Sequence, residues 1–241
     1  MKNRDKKISV VMTAYNGESY IGEQINSVLS QLSAGDELII GDDRSADSTL
    51  EIIKSFKDPR IKLIVNEQNL GVIKNISRLL NKVNGRYVFL SDQDDVWLPE
   101  KVKHCLSQLE NHDLLVHNGF FIDGDGKSLN KTIFDCLTPS LSYLKNLAGN
   151  RYVGACMAFT DTFLSTLLPI PENIPMHDWY IAQRALRLRK KIKIEERELI
   201  LYRRHADNVS STGCHKSNLH FCEKLKGRLQ LFIRTVSNKT V

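Results

Sequence analysis

Residues 8 to 92 alternate four apolar runs with three amphipathic segments, and this alternation limits the fold more than any other feature. "ISVVMTAY" (8–15), "DELIIGDD" (36–43), "RIKLIVN" and "GRYVFLSD" (85–92) are near-continuous apolar runs, as expected of strands covered on both faces. Between them lie "NGESYIGEQINSVLSQL", with Ile21, Ile25, Val28, Leu29 and Leu32 on one helical stripe, "STLEIIKSF", and "LGVIKNISRLLNKV". Ser19 is a candidate N-cap, and Ser48 and Glu51 have capping-box spacing. Strand alternating with helix predicts βαβ units: an α/β fold with a mainly parallel sheet and helices on both faces. Ligands of such sheets bind beyond the carboxyl ends of the strands.

The second half is less regular. "LLVHNGFFIDGDGKSL" reads as two strands around a DGDG turn, and "NRYVGACMAFTDTFLSTL" as a strand entering a helix. "HDWYIAQRALRLRKK" reads as a helix and "IKIEERELILYRRH" as strand-rich. No repeat or clear linker divides the chain, so one domain over residues 1–212 is expected. A basic tail, 213–241, follows, in which Leu219, Cys222, Leu225, Leu229 and Phe232 are spaced for an amphipathic helix.

The net charge is +6, concentrated late in the chain: Arg184 to Arg204 holds nine basic and three acidic residues. Nucleic acid, an anionic membrane and a phosphorylated substrate would each suit such a surface, as would plain solvation. No RNP-like aromatics or zinc-finger spacing accompany the charge, so nucleic acid is not an expected partner. No apolar stretch is long enough to span a bilayer, and "MKNRDKKISVV" lacks the apolar core and cleavage site of a signal peptide. Five scattered cysteines without a CxxC suggest free thiols in a reducing cytoplasm.

Three sets of polar residues sit where a parallel sheet binds ligands. Asp92, Asp94 and Asp95 end the fourth strand, and carboxylates this close repel one another unless a cation joins them. Hard oxygen ligands suit Mg²⁺ or Mn²⁺, which would let an acidic site hold a diphosphate. The alternative is a solvated loop with Asp95 capping a helix that starts near Pro99. Asp42 and Asp43 end the second strand, where a carboxylate can accept from a base N–H or a ribose hydroxyl, or simply shape the turn before Asp47 and Ser48. Thr13, Ala14 and Tyr15 end the first strand beside the same crevice. No GxGxxG and no GxxxxGK[ST] is present, which argues against a nicotinamide dehydrogenase or a P-loop NTPase.

These motifs in this order ("ISVVMTAYNGESYIGEQINSVLSQ", "DELIIGDDRSADST", "NLGVIKN" and "YVFLSDQDDVWLPEKV") resemble the family 2 glycosyltransferases of GT-A fold. "SDQDDVW" is especially similar to rhamnosyltransferase-type members that build bacterial cell-surface polysaccharides. The resemblance implies a nucleotide-sugar-binding half (8–103) and an acceptor and catalytic half (104–212). It assigns the nucleotide to Thr13, Ala14, Tyr15, Glu18, Asp42, Asp43, Asp92 and Gln93. Mn²⁺ or Mg²⁺ would be held by Asp94, with Asp92, Asp95 and His205 as further ligands. "YVGACMAF" (152–159) resembles the family's Gly-rich segment, and "MHDWYIA" (176–182) its acidic base motif, with His177 where Glu is usual. Asp178 is then the catalytic base; a helix N-cap is its bland alternative, and a helix N-terminus would lower its pKa. "LYRRHADNVS" (201–210) resembles the segment that supplies His205, with Arg203 and Arg204 set to offset phosphate charge. Trp97 and Trp179 follow the two acidic motifs and could stack on a sugar, although core packing is the default for Trp.

The implied activity is inverting transfer of a sugar from dTDP-rhamnose or a UDP-sugar to a saccharide, lipid-linked for preference. The implied location is the cytoplasm, with peripheral contact at the anionic inner face of the cell membrane. The rival readings are a nucleotidyltransferase, disfavoured because "TAYNGESYIGEQ" has no Lys or Arg, and a non-catalytic nucleotide-sugar or glycan-binding module with a vestigial site.

Overall fold

A computed structural model describes residues 7–205 and 221–237. The first half follows the alternation: β1 (Ile8–Ala14), α1 (Ile21–Leu29), β2 (Glu37–Asp42), α2 (Thr49–Ser55), β3 (Ile61–Val65), α3 (Val72–Leu80) and β4 (Tyr87–Ser91). Then come β5 (Val96–Trp97), α4 (Lys101–Leu109), β6 (Leu114–Ile122), β7 (Ser128–Thr132), α5 (Ile133–Cys136) and α6 (Tyr143–Ala148). β8 (Met157–Thr160), α7 (Asp161–Leu167), α8 (His177–Arg187), β9 (Ile192–Arg203) and α9 (Phe221–Ser237) complete the described chain.

Among the described residues the strands form one nine-stranded sheet, ordered β3-β2-β1-β4-β8-β6-β9-β5, with β7 paired to β6. β3, β2, β1 and β4 run parallel, whereas β8 is antiparallel to both β4 and β6. The sheet is therefore mixed, and the antiparallel strand falls where the regular sequence pattern ends. Burial follows position. Every residue of β2 and β4 is buried, while edge strand β3 has no buried residue. α1 buries Ile21, Ile25, Val28 and Leu29, each side chain contributing about 1.5–3 kcal/mol of transfer free energy. α3 presses on the sheet because Gly41 has no side chain: a Cβ there would lie 2.5 Å from Asn75 Oδ1 and 2.8 Å from Leu79.

Local capping departs from expectation. Neither Ser19 nor Ser48 caps a helix with its side chain; α1 begins after Tyr20. At α2, Glu18 Oε2 accepts from the N-cap Ser48 N at 2.9 Å, and Asp47 Oδ1 accepts from Thr49 N in the first turn at 3.0 Å. α5 and α6 and the two-residue strand β5 lie in stretches without periodic pattern. Cys105 and Cys156 are free and buried, but Cys136 is disulfide-bonded, which corrects the expectation of free thiols throughout.

The basic tail does contain a helix, α9, and it is docked rather than detached. Leu231 and Thr235 are buried, and the buried Arg184 of α8 donates to Thr235 O at 3.0 Å and to Thr166 O at 3.0 Å. Leu219 and the side chain of Cys222 lie outside the described residues, as do residues 206–220 of the stretch leading from the "YRRH" motif.

Candidate active site

The carboxyl ends of β1, β2 and β4 open on one side of the sheet, and the acidic loop 92–95 lies across them. Gln93 ties that loop to the end of β1. Its amide Nε2 donates to Tyr15 O at 2.9 Å and its Oε1 accepts from Tyr15 N at 2.8 Å. Gly17 makes the approach possible, since a Cβ there would come within 2.3 Å of Gln93 Oε1. Gln93 thus spends its side chain on the backbone just past β1 and braces the acidic loop against it. Glu18 is likewise occupied, by Ser48 N at the N-cap of α2. Tyr15, 47% exposed, is presented at the mouth, and Thr13 and Ala14 lead up to it.

Asp42 and Asp43 are both buried, and both are satisfied, Asp42 by its own loop and Asp43 by the turn after β3, as buried carboxylates must be. Asp42 accepts from Ser45 Oγ at 2.6 Å and from Ser45 N at 3.2 Å. Asp43 accepts from Asn66 Nδ2, Leu70 N and Gly71 N, each at 2.8 Å. That network ties the 66–71 turn to the end of β2 through the Asp43 carboxylate.

The three loop aspartates separate in role. Asp95 is buried; its Oδ1 accepts from Arg203 N at 3.0 Å and its Oδ2 has no partner. Burial, then the charges of Asp94 and Asp92, hold its pKa well above the usual carboxylate range. It does not cap α4, whose N-cap is Glu100. It anchors the loop to β9 through Oδ1. Asp94 is half-buried and its Oδ2 lies 2.8 Å from His205 Nε2. His205 in turn packs on Tyr20, ring centroids 5.0 Å apart. Asp92 is half-buried, and its pKa is pushed up to about 7 by burial first, then by Asp94 and Asp178.

Asp178 lies in the first turn of α8 rather than at its N-cap, which is Met176. Its Oδ1 accepts from Asn150 Nδ2 at 3.0 Å and from Trp179 N at 2.6 Å. Burial raises its pKa, outweighing His177 and the hydrogen bonds from Trp179, Asn150 and Gly154. This overturns the expectation that the helix N-terminus would dominate. Desolvation makes Asp178 the stronger base. Gly154 is again required by space: a Cβ would lie 2.8 Å from His177 Nε2. The Gly-rich turn therefore seats His177 and Asp178 against the sheet.

Arg203, expected to face phosphate, is turned inward. Its Nε donates to Asp94 O at 2.8 Å, its Nη1 to Gly124 O at 3.1 Å and its Nη2 to Glu23 Oε2 at 2.6 Å. The guanidinium also lies 4.7 Å from the centroid of Tyr20. It is a clamp on the acidic loop. Arg204 N donates to Ile122 O at 2.8 Å, so its backbone extends the β6–β9 pairing. Trp97 is a packing residue, buried against Phe89, whereas Trp179 is half-buried and donates from Nε1 to Asn146 O at 2.6 Å.

Lys101 carries no mark in the local sequence. It is fully buried behind the acidic loop, with Nζ 3.1 Å from Ala155 O and 4.2 Å from the Trp97 ring centroid. Burial lowers its pKa to about 8, against the pull of the neighbouring cysteine and aspartate groups. A lysine after "LPE" has no feature that separates it from a solvated one. Asn150 and Gln24, whose Nε2 donates to Asp92 O at 3.0 Å, were missed for the same reason.

Among the described residues no three His, Cys, Asp or Glu side chains converge as a ready-made metal cage. The donor set still fits a hard divalent cation. Mg²⁺ and Mn²⁺ bind through one or two carboxylates and complete their shell with water and phosphate oxygens. Asp94 and Asp92 are carboxylates of that kind, and their mutual repulsion is what a cation would relieve.

A family model described as "Glycosyl transferase family 2" matches residues 9–168. The chain belongs to glycosyl transferase family 2. Among curated relatives it is 31% identical over 178 residues to the Escherichia coli UDP-Glc:alpha-D-GlcNAc-diphosphoundecaprenol beta-1,3-glucosyltransferase WfgD, covering 73% of this chain and 68% of that one. It is 29% identical over 214 residues to the Shigella flexneri dTDP-rhamnosyl transferase RfbG, covering 82% and 72%. A Haemophilus influenzae glycosyltransferase, 34% identical, is matched over only 36% of its length. Among solved structures, S. aureus TarS 1–349 in complex with UDP-GlcNAc superposes with a TM-score of 0.69 at 19% identity, covering 94% of this chain and 66% of that one. The mannosyltransferase PcManGT from Pyrobaculum calidifontis, in complex with GDP-Man and Mn²⁺, gives 0.63 at 14% identity, covering 97% and 65%. At these identities the solved structures speak to fold, and the fold is GT-A.

Proposed function

We propose that this family 2 member is an inverting glycosyltransferase acting in bacterial cell-surface polysaccharide synthesis. It moves a sugar from dTDP-rhamnose or a UDP-sugar to a saccharide acceptor carried on a lipid diphosphate. The observation that carries the reading is the meeting of Asp178 with the acidic loop. Residues far apart in sequence converge there: the buried turn 154–156 packs on β4, whose end carries the acidic loop, and a Cβ on Gly154 would lie 3.6 Å from Asp178 Cβ. The nucleotides named for WfgD, RfbG and the TarS complex support the donor class, and the undecaprenol carrier in WfgD's name supports the acceptor class.

Each residue then has a task. Tyr15, Thr13 and Ala14 line the base and ribose side, with Asp42 beneath them. Asp94 and Asp92, with His205 on Asp94, are the residues that would hold Mn²⁺ or Mg²⁺. When bound, the cation would supply charge to stabilise the departing nucleoside diphosphate. Asp178 takes the proton of the acceptor hydroxyl as its oxygen bonds to the anomeric carbon. The bond from that carbon to the diphosphate oxygen breaks in the same displacement, and the electron pair leaves with the nucleoside diphosphate. Asn150 and Trp179 N hold the carboxylate in place, so orientation adds to basicity. A lipid-borne acceptor also implies work at the inner face of the cell membrane.

Thermal unfolding with UDP, dTDP, GDP and CMP, each with and without Mn²⁺, tests the reading. Ligand binding to the native state raises the melting temperature by mass action. One nucleotide should stabilise the protein only with the metal, and Asp94→Ala should abolish the effect. Asp178→Asn should keep the shift and lose transfer. A protein that binds glycan or nucleotide sugar but turns over nothing would instead be a binding module.

A further inference from the structure

α9 presents a face that nothing in the described structure covers. Leu225, Leu229, Phe232 and Ile233 are 54%, 58%, 42% and 49% exposed. At 3.6 residues per turn these four share one stripe, while the buried Leu231 and Thr235 point toward the protein. Lys226 borders the stripe on one side and Arg228 on the other, with exposed Arg234 further round. No acidic residue occurs from Leu225 to Thr235. α6, against which α9 packs, carries exposed Leu144 and Lys145, and exposed Leu141 precedes its N-cap Ser142.

We propose that the α9 stripe is the surface by which the protein rests on an anionic lipid bilayer, with α9 lying in the plane of the headgroups. This rests on the transferase reading for its purpose, but the surface itself is argued from α9. An apolar stripe bordered by cations on both sides matches the boundary between acyl chains and anionic headgroups. A second copy of the chain is a poor occupant, because a two-fold contact would bring the same cations face to face.

The placement also has a use. α8 carries Asp178 in its first turn and is tied to α9 through Arg184 and Thr235 O. α6 runs directly into Asn150, which donates to Asp178. One helical group thus holds both the lipid-facing stripe and the catalytic carboxylate, so an acceptor anchored in the bilayer is offered to the side of the crevice where its proton is removed.

The test is flotation of the full chain with phosphatidylcholine vesicles, with and without phosphatidylglycerol. Binding should require phosphatidylglycerol and weaken with salt. Leu229→Glu with Phe232→Glu should reduce vesicle affinity about tenfold or more, and Lys226→Glu with Arg228→Glu should remove the preference for anionic lipid. Both pairs lie on the exposed side of the helix, and an unchanged circular dichroism spectrum would confirm folding. No binding, or equal binding by the variants, overturns the proposal. So does a wild-type dimer that Leu229→Glu with Phe232→Glu converts to monomer, because the stripe would then join two copies. The metal-dependent nucleotide shift, read without vesicles, is independent: its loss with vesicle binding intact refutes the transferase reading alone, and its persistence without vesicle binding refutes the lipid surface alone.

Discussion

Arg203 offers the sharpest test of how the acidic loop is held. Arg203→Met keeps most of the side-chain volume and removes the guanidinium. The Glu23 partner is 59% exposed and simply rehydrates, so that ion pair contributes little. The carbonyls of Asp94 and Gly124 are different, because the 4% exposed Arg203 side chain shields them from water. A stranded buried polar group costs about 1–3 kcal/mol, so two give a loss of about 2–6 kcal/mol. At this chain length each kcal/mol moves Tm by roughly 2–4 °C, which sets the expected fall at roughly 4–24 °C. Urea denaturation gives the free energy and calorimetry the Tm. Arg203→Lys should recover only part, since an ammonium cannot reproduce the planar fork. The nucleotide shift with Mn²⁺ should weaken as well, because the loop backbone at Asp94 loses its clamp. A change below about 0.5 kcal/mol in Arg203→Met, the range of an ordinary surface substitution, would refute the reasoning.

Other perturbations follow from the same contacts. Gly17→Ala should cost about 1–3 kcal/mol by overpacking and weaken nucleotide binding, because its Cβ would push Gln93 from Tyr15; calorimetry with and without nucleotide reads both. Lys101→Ala should lose about 2–5 kcal/mol in urea unfolding, from a cavity behind Trp97 and an unpaired Ala155 carbonyl. Asp58, held down to about 2 chiefly by its hydrogen bond from Arg60, lends stability that is present above its unfolded pKa and lost as pH falls through about 2. Asp58→Asn should therefore lower stability modestly at neutral pH and flatten the acid limb of a stability–pH curve, read by urea unfolding at a series of pH values.

Local pattern determined the first half of this protein. The apolar runs became β1 to β4 and the stripes became α1 and α3, because a strand covered on both faces needs apolar residues throughout and a helix needs them on one side. The same alternation put Thr13, Asp42 and Asp92 at strand ends. The helix that carries Asp178 was legible as well, since α8 begins where the helical pattern of "HDWYIAQRALR" begins. What each polar residue does there was not legible, because it depends on partners distant in sequence. Glu18, Asp43, Gln93, Asp95 and Arg203 all look like ligand contacts in a motif. Each is occupied by the fold, with partners up to 180 residues away in the case of Arg203 and Glu23. Burial of Lys101 and the rise in the pKa of Asp178 are likewise properties of packing. A sequence specifies which groups carry charge, but only the tertiary structure decides which of them lose water, and desolvation is what separates a brace from a base.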